Sequence, residues 1–238
     1  MIERVSGVRI MIDIHRITKR FNEGKGNAFT ALTDIDLRIE MHRVTVFKGP
    51  SGSGKTTLLS IIGCMSRPTS GRMILNGMET TSLPERFAAK IRRETFGFIF
   101  QNYNLIRGIG VLENTMIPAY PTGMKNGTIR KRAMALLRRL KIDSKANEKV
   151  EELSGGEQQR TAIARALINN PSIIIADEPT AHLDTDLSRN FMEIMGELKQ
   201  EGKTILIASH DPLVAAFPGV DTIVNIRDGR ISEKGVQT

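Results

Sequence analysis

The sequence predicts an α/β protein with a largely parallel sheet, and three observations carry that prediction. Short apolar runs alternate with stretches of helical periodicity, as strands and helices do in such folds. A glycine-rich loop at 49–56 lies between an apolar run and a helical stretch. The apolar run 173–176 ends in two consecutive acids, at the position where ligand-binding side chains stand in open parallel sheets.

The individual elements follow from the same patterns. Strands are indicated by apolar runs of four to six residues, and helices by apolar residues spaced three and four apart. Between 102 and 152 the strand pattern fades and helical periodicity dominates, which predicts an inserted helical subdomain. The predicted strands are 9–14, 34–39, 44–47, 72–75, 97–100, 172–176, 204–208 and 222–226, and the predicted helices outside the insert are 55–64, 156–168 and 186–200.

These elements suit one domain with an insert, which the length of 238 residues allows. The core is expected at 8–101 and 155–231, with the helical subdomain at 102–154 between its two parts. Residues 232–238 are expected to form a loose C-terminal end.

Composition narrows the class of protein. The chain is 40% hydrophobic and 25% charged, which is ordinary for a soluble globular protein. The apolar runs are too short to cross a bilayer and the first twenty residues carry charges throughout, so we expect a cytoplasmic chain. The single cysteine, Cys64, excludes an intramolecular disulfide and is expected to fill core space.

The net charge of +8 is compatible with nucleic acid, anionic lipid, an acidic partner or solubility alone. Basic residues cluster at 86–93 and 130–141, and the second cluster has helical apolar spacing, which favours a solvated helix face. With 5% aromatic residues and no tryptophan, no specific nucleic-acid binding is expected.

The loop at 49–56 fits the phosphate-loop pattern G-x-x-x-x-G-K-[ST], with a flexible glycine turn as the alternative interpretation. Its glycines let backbone amides point inward at phosphate oxygens, and the following helix adds its positive N-terminal end. Lys55 is expected to reach the β- and γ-phosphates of ATP, and the Thr56 hydroxyl to ligate Mg²⁺. The predicted ATP-binding residues here are Gly49, Pro50, Ser51, Gly52, Ser53, Gly54, Lys55, Thr56 and Thr57.

The two acids after the run 173–176 suit the same chemistry. Asp177 is placed to hold the metal, directly or through water. Glu178, one residue further, is placed to aim at a water that attacks the γ-phosphate. A simple strand-end turn is the alternative, and the phosphate loop upstream weighs against it.

The stretch 153–160, Leu-Ser-Gly-Gly-Glu-Gln-Gln-Arg, resembles the signature motif of ABC ATPases. Ser154 and the two glycines open a helix whose amide end can bind a phosphate, although an ordinary capped helix start fits the same residues. The order of motifs along the chain favours the family over that alternative. The resemblance extends from about 10 to 231.

The resemblance implies a P-loop NTPase fold, with a RecA-like core, a mainly parallel sheet, an N-terminal antiparallel β part and an inserted α-helical subdomain. It implies that two copies face each other head to tail, with each ATP clamped between the phosphate loop of one copy and the signature of the other. The signature residues expected to bind the ATP of the partner are Ser154, Gly155, Gly156, Glu157 and Gln158.

The resemblance also assigns roles to single residues. Gln101 matches the Q-loop residue that contacts Mg²⁺, and His210 matches the switch histidine that touches the γ-phosphate. Phe21 matches the aromatic position that stacks on adenine, with core filler as the alternative, and Asp184 matches the D-loop aspartate. The catalytic residues are then Glu178, His210, Gln101 and Lys55, and the metal ligands are Thr56, Gln101 and Asp177.

Within the family, the sequence is most similar to lipoprotein-release, macrolide-export and cell-division ATPases, on the stretches 68–71, 97–101, 112–114 and 176–180. Members of that group pair with a membrane subunit. The resemblance therefore implies an integral membrane permease as partner, a place on the cytoplasmic face of the inner membrane, and a role in export, lipoprotein release or mechanotransmission.

Three positions depart from the family pattern. Glu157 stands where many members have Gln. Residues 41–43, Met-His-Arg, replace a glycine-containing turn, so a differently shaped hairpin is expected there. His182 replaces an Asn of this group and would titrate near neutral pH.

A soluble ABC-type ATPase acting on nucleic acid or ribosomes is the alternative function. The basic charge supports it, but the sequence has neither the long coiled coil of DNA-repair relatives nor the second ATPase domain of translation-factor relatives. A scaffold with a degenerate site is a second alternative, and the filled catalytic positions weigh against it.

Overall fold

Two β-sheets organise the chain in the computed structural model, which describes residues 4–5, 8–181 and 183–236. The first sheet is antiparallel and is built around one long strand that pairs with three others. Its strands are β1 (Arg4–Val5), β2 (Val8–Phe21), β3 (Phe29–Glu40), β5 (Ser70–Leu75) and β6 (Met78–Glu79).

The second sheet frames the phosphate loop. Its strands are β4 (Val44–Lys48), β7 (Phe96–Ile99), β8 (Ile173–Asp177), β9 (Thr204–Ser209), β10 (Thr222–Arg227) and β11 (Arg230–Val236). They lie in the order β11-β10-β4-β9-β8-β7, and every neighbouring pair is parallel except β10 with β11. Strand β9 is buried along its whole length, as expected for a parallel strand covered on both faces.

Helices cover the second sheet and form the insert. The α-helices are α1 (Lys55–Ile62), α2 (Glu85–Thr95), α3 (Val111–Met116), α4 (Asn126–Arg139), α5 (Gly155–Leu167), α6 (Thr185–Gln200) and α7 (Pro212–Ala215). Short 3-10 helices lie at Ile117–Thr122, Asp143–Lys145 and Val150–Glu152, so residues 102–154 contain helices and an isolated bridge but no strand. None of the described helices has the length and apolar character needed to span a membrane.

The two faces of the second sheet belong to different hydrophobic clusters. Along β9, Ile205 and Ile207 face α5, α6 and the helices of the insert, whereas Leu206 and Ala208 face α1 and the antiparallel sheet. This alternation is the period of two that a strand imposes on its side chains. The strand ends that carry the phosphate loop and the two acids are therefore fixed from both sides.

The prediction of a loose C-terminal end at 232–238 is wrong for residues 232–236. Residues 230–236 form β11, which pairs antiparallel with β10 from Arg227↔Arg230 to Thr222↔Val236. The pairing is made by backbone groups and needs no apolar pattern, which is why the polar sequence gave no sign of it. Residues 237–238 lie outside the described residues.

The turn at 41–43 does not close a hairpin, because β3 and β4 belong to different sheets. His42 has φ of 59°, the left-handed conformation that a glycine adopts without strain. Its backbone N–H donates to the Thr204 hydroxyl at 2.9 Å, which anchors the turn. The other departure from the family pattern, His182, lies outside the described residues.

Candidate functional site

The phosphate loop joins β4 to α1 and has a shape that only glycine permits at two points. At Gly54, φ is 105°, and a Cβ would lie 2.7 Å from the Ala31 carbonyl oxygen. At Gly49, a Cβ would lie 2.1 Å from the Ile226 carbonyl oxygen, so a side chain would force the backbone apart. The loop is thereby pressed against the neighbouring strand, with its amides around the start of α1.

A cavity of about 560 Å³ lies over the loop, within the size range of small-molecule sites. It stands at the carboxyl ends of β4, β8 and β9, where parallel sheets bind ligands. Its walls are Phe29, Thr30, Ala31, Ser51, Gly52, Ser53, Gly54, Lys55, Thr56, Thr57, Gln101, Glu178, His210, Asp228 and Gly229.

Lys55 is held rigidly at the floor of this cavity. Its side chain is only 4% exposed, and its Nζ donates to the carbonyl oxygens of Gly49 at 2.8 Å and Pro50 at 3.1 Å. The same Nζ lies 3.2 Å from Oε1 of Glu178. A buried ammonium with fixed oxygen partners is a preorganised binding group for phosphate.

Glu178 lies between a cation and a histidine. Its Oε1 pairs with Lys55, and its Oε2 lies 2.9 Å from Nδ1 of His210 and accepts the His210 backbone N–H at 3.3 Å. Its backbone has φ of 46°, an uncommon conformation for a glutamate, and its N–H donates to the Ala208 carbonyl at 2.8 Å. Three of the four side chains predicted for catalysis, Lys55, Glu178 and His210, therefore meet in one contiguous network.

Asp177 points at the first turn of α1, where Oδ1 accepts a hydrogen bond from the Thr56 hydroxyl at 3.0 Å. Burial raises the pKa of Asp177, the neighbouring Glu178 raises it further, and the Thr56 bond and Lys55 lower it. A bound cation would offset the cost of keeping this carboxylate charged.

The oxygen donors here fit Mg²⁺. Gln101 lines the same cavity as Thr56, and Asp177 is in contact with Thr56. One carboxylate, one hydroxyl and one amide oxygen suit Mg²⁺, which binds through one or two protein ligands together with substrate phosphates and water.

The residues predicted to form the signature lie outside the phosphate-loop cavity. Ser154 caps α5: its N–H and its hydroxyl both donate to Oε2 of Glu157 at 2.8 Å, while its Oγ accepts the Glu157 N–H at 3.4 Å. These bonds from Ser154 lower the pKa of Glu157. The capped helix start, the alternative interpretation of these residues, is therefore present, and none of the residues 154–158 lines the cavity.

The signature helix is nevertheless tied to the segment after Glu178. Nε2 of Gln159 donates to the Pro179 carbonyl at 3.1 Å. Asp184 caps α6 by accepting the Leu187 N–H at 2.8 Å, and a Cβ on Gly156 would come within 2.9 Å of Leu187. The start of α5 and the start of α6 therefore pack together.

The aromatic wall of the cavity is Phe29, which sequence reasoning missed. Phe29 is 56% exposed, whereas Phe21, the predicted residue, stacks behind it with ring centroids 5.2 Å apart and does not line the cavity. The two residues pair across β2 and β3. Only this strand register, which the sequence does not display, identifies Phe29. Gly49 and Pro50, which were also predicted to bind ATP, lie outside the cavity lining as well.

Known proteins resemble the chain over most of its length. A family model described as "ABC transporter" matches residues 32–181. The macrolide export ATP-binding/permease protein MacB of Hahella chejuensis (strain KCTC 2396) is 42% identical over 221 residues, which cover 93% of this chain and 33% of that protein. The probable syringafactin export ATP-binding/permease protein SyfD of Pseudomonas syringae pv. syringae (strain B728a) is 40% identical over 230 residues, with 97% and 35% covered. The chain spans about a third of the length of these relatives.

Solved structures agree with this assignment of the fold. A dimeric structure of MJ0796, described as a bacterial ABC transporter cassette, is 38% identical with a TM-score of 0.87, covering 95% of this chain and 98% of that one. A second structure of the same cassette, with the same TM-score of 0.87, shows a post-hydrolysis state bound to ADP and Pi. The predicted fold class, a P-loop NTPase core with a helical insert, is confirmed.

Proposed function

Because the chain belongs to the ABC transporter family and forms one of its ATP-binding cassettes, we propose that it hydrolyses MgATP between two head-to-tail copies and drives a membrane permease. The observation that carries this proposal is the network of Lys55, Glu178 and His210 in the cavity, with Ser154 exposed outside it. Export, lipoprotein release and mechanotransmission are the processes that the resemblance supports.

The cavity suits a nucleoside triphosphate. The loop amides and Lys55 line the part that would hold the phosphates, and the half-exposed ring of Phe29 offers an aromatic face for the base. In the structure Lys55 is paired with Glu178, so a γ-phosphate would take over one oxygen partner of the ammonium. Binding would thereby free the Glu178 carboxylate for catalysis.

Thr56, Asp177 and Gln101 are the residues that would hold Mg²⁺. When bound, Mg²⁺ neutralises charge on the β- and γ-phosphate oxygens. Glu178 would orient the attacking water and accept its proton, and His210 would hold the Glu178 carboxylate in place. Lys55 would stabilise the charge that develops on the γ-phosphate as the water attacks in line.

A second copy would complete the site. Ser154 opens α5 at the surface, where the first backbone amides of a helix favour an anion. Within the chain, none of the signature residues reaches the cavity. The dimeric structure reported for MJ0796 supports a dimer for this chain, and the head-to-tail arrangement comes from the motif resemblance. Asp184, at the start of α6 beside the signature helix, would then face the same interface.

The proposed partner in the membrane is a permease on whose cytoplasmic side the cassette would sit, at the inner membrane. The relatives carry an ATP-binding and a permease function in one protein about three times as long, and this chain matches about a third of each. A groove of about 410 Å³ between α2 and α5, mostly apolar, is available for contact with such a partner.

Two variants test the ATPase assignment. Lys55→Ala should lose ATP binding, because it removes the cation that would meet the phosphates. Glu178→Gln should bind ATP with little change and hydrolyse it about 10²–10⁴-fold more slowly, the usual contribution of a positioned general base. Filter binding and phosphate release measure the two effects. Near-normal turnover in Glu178→Gln would remove the catalytic role given to this carboxylate.

The partner is tested by capture from native membranes with tagged Glu178→Gln protein, with and without MgATP. Recovery of an integral membrane protein only with MgATP would support the permease. Recovery of ribosomes or nucleic acid without a membrane subunit would instead favour the soluble ATPase, which the charge of +8 otherwise supports.

A further inference from the structure

The part of the insert around α4 carries positive charge and no negative charge. Between Glu113 and Asp143 the sequence has no acidic residue. Helix α6, of similar length, carries both acids and bases. An exposed helix usually mixes the two signs, so a segment with cations alone indicates a ligand of the opposite sign. Its basic residues are Lys125, Arg130, Lys131, Arg132, Arg138, Arg139 and Lys141.

Four of these cations are exposed and have no ion-pair partner. Among the described residues, no carboxylate oxygen lies within 4.0 Å of their charged nitrogens. Ile129, Ala133 and Leu137 are the buried residues of α4, so the helix is amphipathic and presents these charges to solvent. The basic face of α4 is defined as Arg130, Lys131 and Arg138 in the helix together with Lys141 directly after it.

This charge does not stabilise the helix that carries it. The N-cap of α4 is Lys125, with no side-chain hydrogen bond, and the first turn has no acidic residue, so a cation stands at the positive end of the helix dipole. Gly127 lowers the helix propensity of the first turn, although a Cβ there would meet nothing within 4 Å. The chain thus keeps an unfavourable charge pattern that its own packing does not require.

The basic face lies away from the ATP cavity. Arg139, on the flank of α4, bonds to Glu201, with Nη1 2.9 Å from Oε2. Burial lowers the pKa of Lys203, Glu201 raises it, and the nearby Arg139 and Arg132 lower it again. Residues 201–203 lead into the amino end of β9, whereas the cavity stands at the carboxyl ends of the parallel strands. A ligand on this face would therefore leave the ATP site free.

The composition of the segment favours lipid over nucleic acid as this ligand. Residues 123–142 contain no Phe, Tyr or Trp, so they offer no ring on which a base could stack. Clusters of four or more Lys and Arg on an amphipathic helix are typical of surfaces that bind anionic lipid headgroups. The proposed permease would hold the chain beside a membrane, which raises the effective concentration of such headgroups.

We propose that the basic face of α4 binds the anionic headgroups of the membrane beside which the permease holds the cassette. The attraction is electrostatic and spread over several headgroups, and each basic residue strengthens it about fivefold. The choice of a membrane rests on the proposed permease, but the lipid contact itself does not require one. It goes beyond the permease contact by giving the cassette a second attachment to the membrane.

Binding is measured by sedimenting the full chain with lipid vesicles. One set is phosphatidylcholine alone, and the other contains about one third phosphatidylglycerol, which gives the surface a negative potential. We expect the chain to sediment with the anionic vesicles only, and to be released between about 0.1 and 1 M salt as the Debye length shortens. Equal binding to both sets, or binding that salt does not weaken, overturns the proposal.

Two variants of equal net charge locate the contact. The neutralised variant should bind anionic vesicles roughly 10²–10³-fold more weakly than wild type, and the control variant less than about tenfold more weakly. An equal loss in both would show that net charge, and not this face, attracts the lipid. The neutralised variant carries Arg130→Gln, Lys131→Gln, Arg138→Gln and Lys141→Gln, and the control carries Lys25→Gln, Arg72→Gln, Lys90→Gln and Arg189→Gln, at exposed positions on other elements.

ATP binding and thermal melting show whether the neutralised variant is folded. Both should match or exceed those of the wild type, because the variant loses only repulsion between cations. If it does not fold, the single variants Lys131→Gln and Arg138→Gln take its place, each with an expected loss of about fivefold. Unchanged vesicle binding in both single variants overturns the proposal.

The ligand in cells is identified by photo-crosslinking. Benzoylphenylalanine replaces Ala135, an exposed residue between Lys131 and Arg138 on α4, and the control replaces Glu193, exposed on α6. We expect a phospholipid adduct at 135 and none at 193, detected by mass spectrometry. An adduct with nucleic acid or protein at 135, or no lipid adduct there, overturns the proposal. The vesicles contain no permease, so failure of lipid binding is distinct from failure of membrane capture to recover one.

Discussion

The phosphate-loop cavity and the start of the signature helix differ in how many of their contacts one copy of the chain supplies. In the cavity, Lys55 has three oxygen partners from two different segments, and below it Gly49 of the phosphate loop is pressed against the carbonyl of another strand. At the signature, Ser154 bonds with Glu157 in its own helical turn, and a Cβ on Gly155 would meet nothing within 4 Å. The phosphate loop depends on the whole fold, whereas the Ser154–Glu157 cap is a local structure with open space at Gly155.

Variants of the phosphate loop therefore report on folding, and variants at the start of the signature helix report on assembly of the dimer. Changes at tightly packed positions of the phosphate loop, such as Gly49, disturb long-range packing, so they alter stability and activity together. Changes at Ser154 or Gly155 leave the isolated chain intact, so their effect on ATP hydrolysis measures contact with a second copy.

A matched pair of glycine substitutions tests this difference with the largest expected effect. Gly49→Ala should lower the free energy of unfolding by about 2–3 kcal/mol, because its Cβ would lie 2.1 Å from the Ile226 carbonyl oxygen. Gly155→Ala should leave the free energy of unfolding within about 0.5 kcal/mol of wild type, since its Cβ points into open space. Urea denaturation measures both. A Gly155→Ala protein as unstable as Gly49→Ala would show that the signature is not the open region described above.

Asp177→Asn separates stability from function within the cavity. Burial raises the pKa of Asp177 above its ordinary 3.8, so the folded protein binds this proton more readily than the unfolded chain. The carboxylate therefore destabilises the fold increasingly as the pH rises from the unfolded value through the raised one. Asn keeps an acceptor for Thr56 and carries no charge. Without Mg²⁺ and ATP at pH 7, it should be more stable by on the order of 1 kcal/mol, or about 2–4 °C in Tm.

The pH dependence provides the control for this prediction. Below the unfolded pKa, both states of the wild type are protonated and the advantage of Asp177→Asn should vanish. With MgATP present, only the wild type should gain stability from the metal. A wild type that is more stable than Asp177→Asn at pH 7 without ligand would mean that the carboxylate is well satisfied in the free protein.

Glu157→Gln should have the smallest effect. Bonds from Ser154 lower the pKa of Glu157, so its contribution is present above the ordinary value of 4.5 and is lost as the pH falls through the lowered value. Gln retains an acceptor for the capping box, so thermal melting at pH 7 should change by no more than about 2 °C. A larger loss would show that the negative charge at the helix start, and not the hydrogen bond, holds the cap.

The site motifs could be predicted because each is a contiguous run of residues with its own chemistry. The loop at 49–56, the acids at 177 and 178 and the serine of the signature stand at strand or helix ends that the apolar pattern also locates. Sequence order alone therefore indicated the positions of the cavity residues. It could not show that Lys55, Glu178 and His210 form one network, because that depends on the alignment of three strands.

The elements that sequence reasoning missed lack a periodic apolar pattern. The strand predicted at 9–14 continues to Phe21 in the structure. Its pairing with β3 shifts register after Ile14 and Arg16 has φ of 48°, so the alternation of apolar and polar residues that identifies a strand is lost there. Helix α2 has only one buried residue, Ala88, so its sequence shows a cluster of charges without an apolar face. Phe29 is exposed at the start of β3, where nothing local distinguishes it from a loop residue.

The central claim is that the cavity of one copy and the signature of another make one catalytic site, and a mixing experiment tests it most directly. Lys55→Ala and Ser154→Arg proteins are each expected to be inactive alone, since every site in either homodimer has one damaged half. Mixed in equal amounts, they should recover roughly a quarter of the wild-type ATPase rate, because about half of the dimers are mixed and each has one intact site. A mixture that shows only the sum of the two separate rates, or a Ser154→Arg protein that is fully active alone, would contradict the claim.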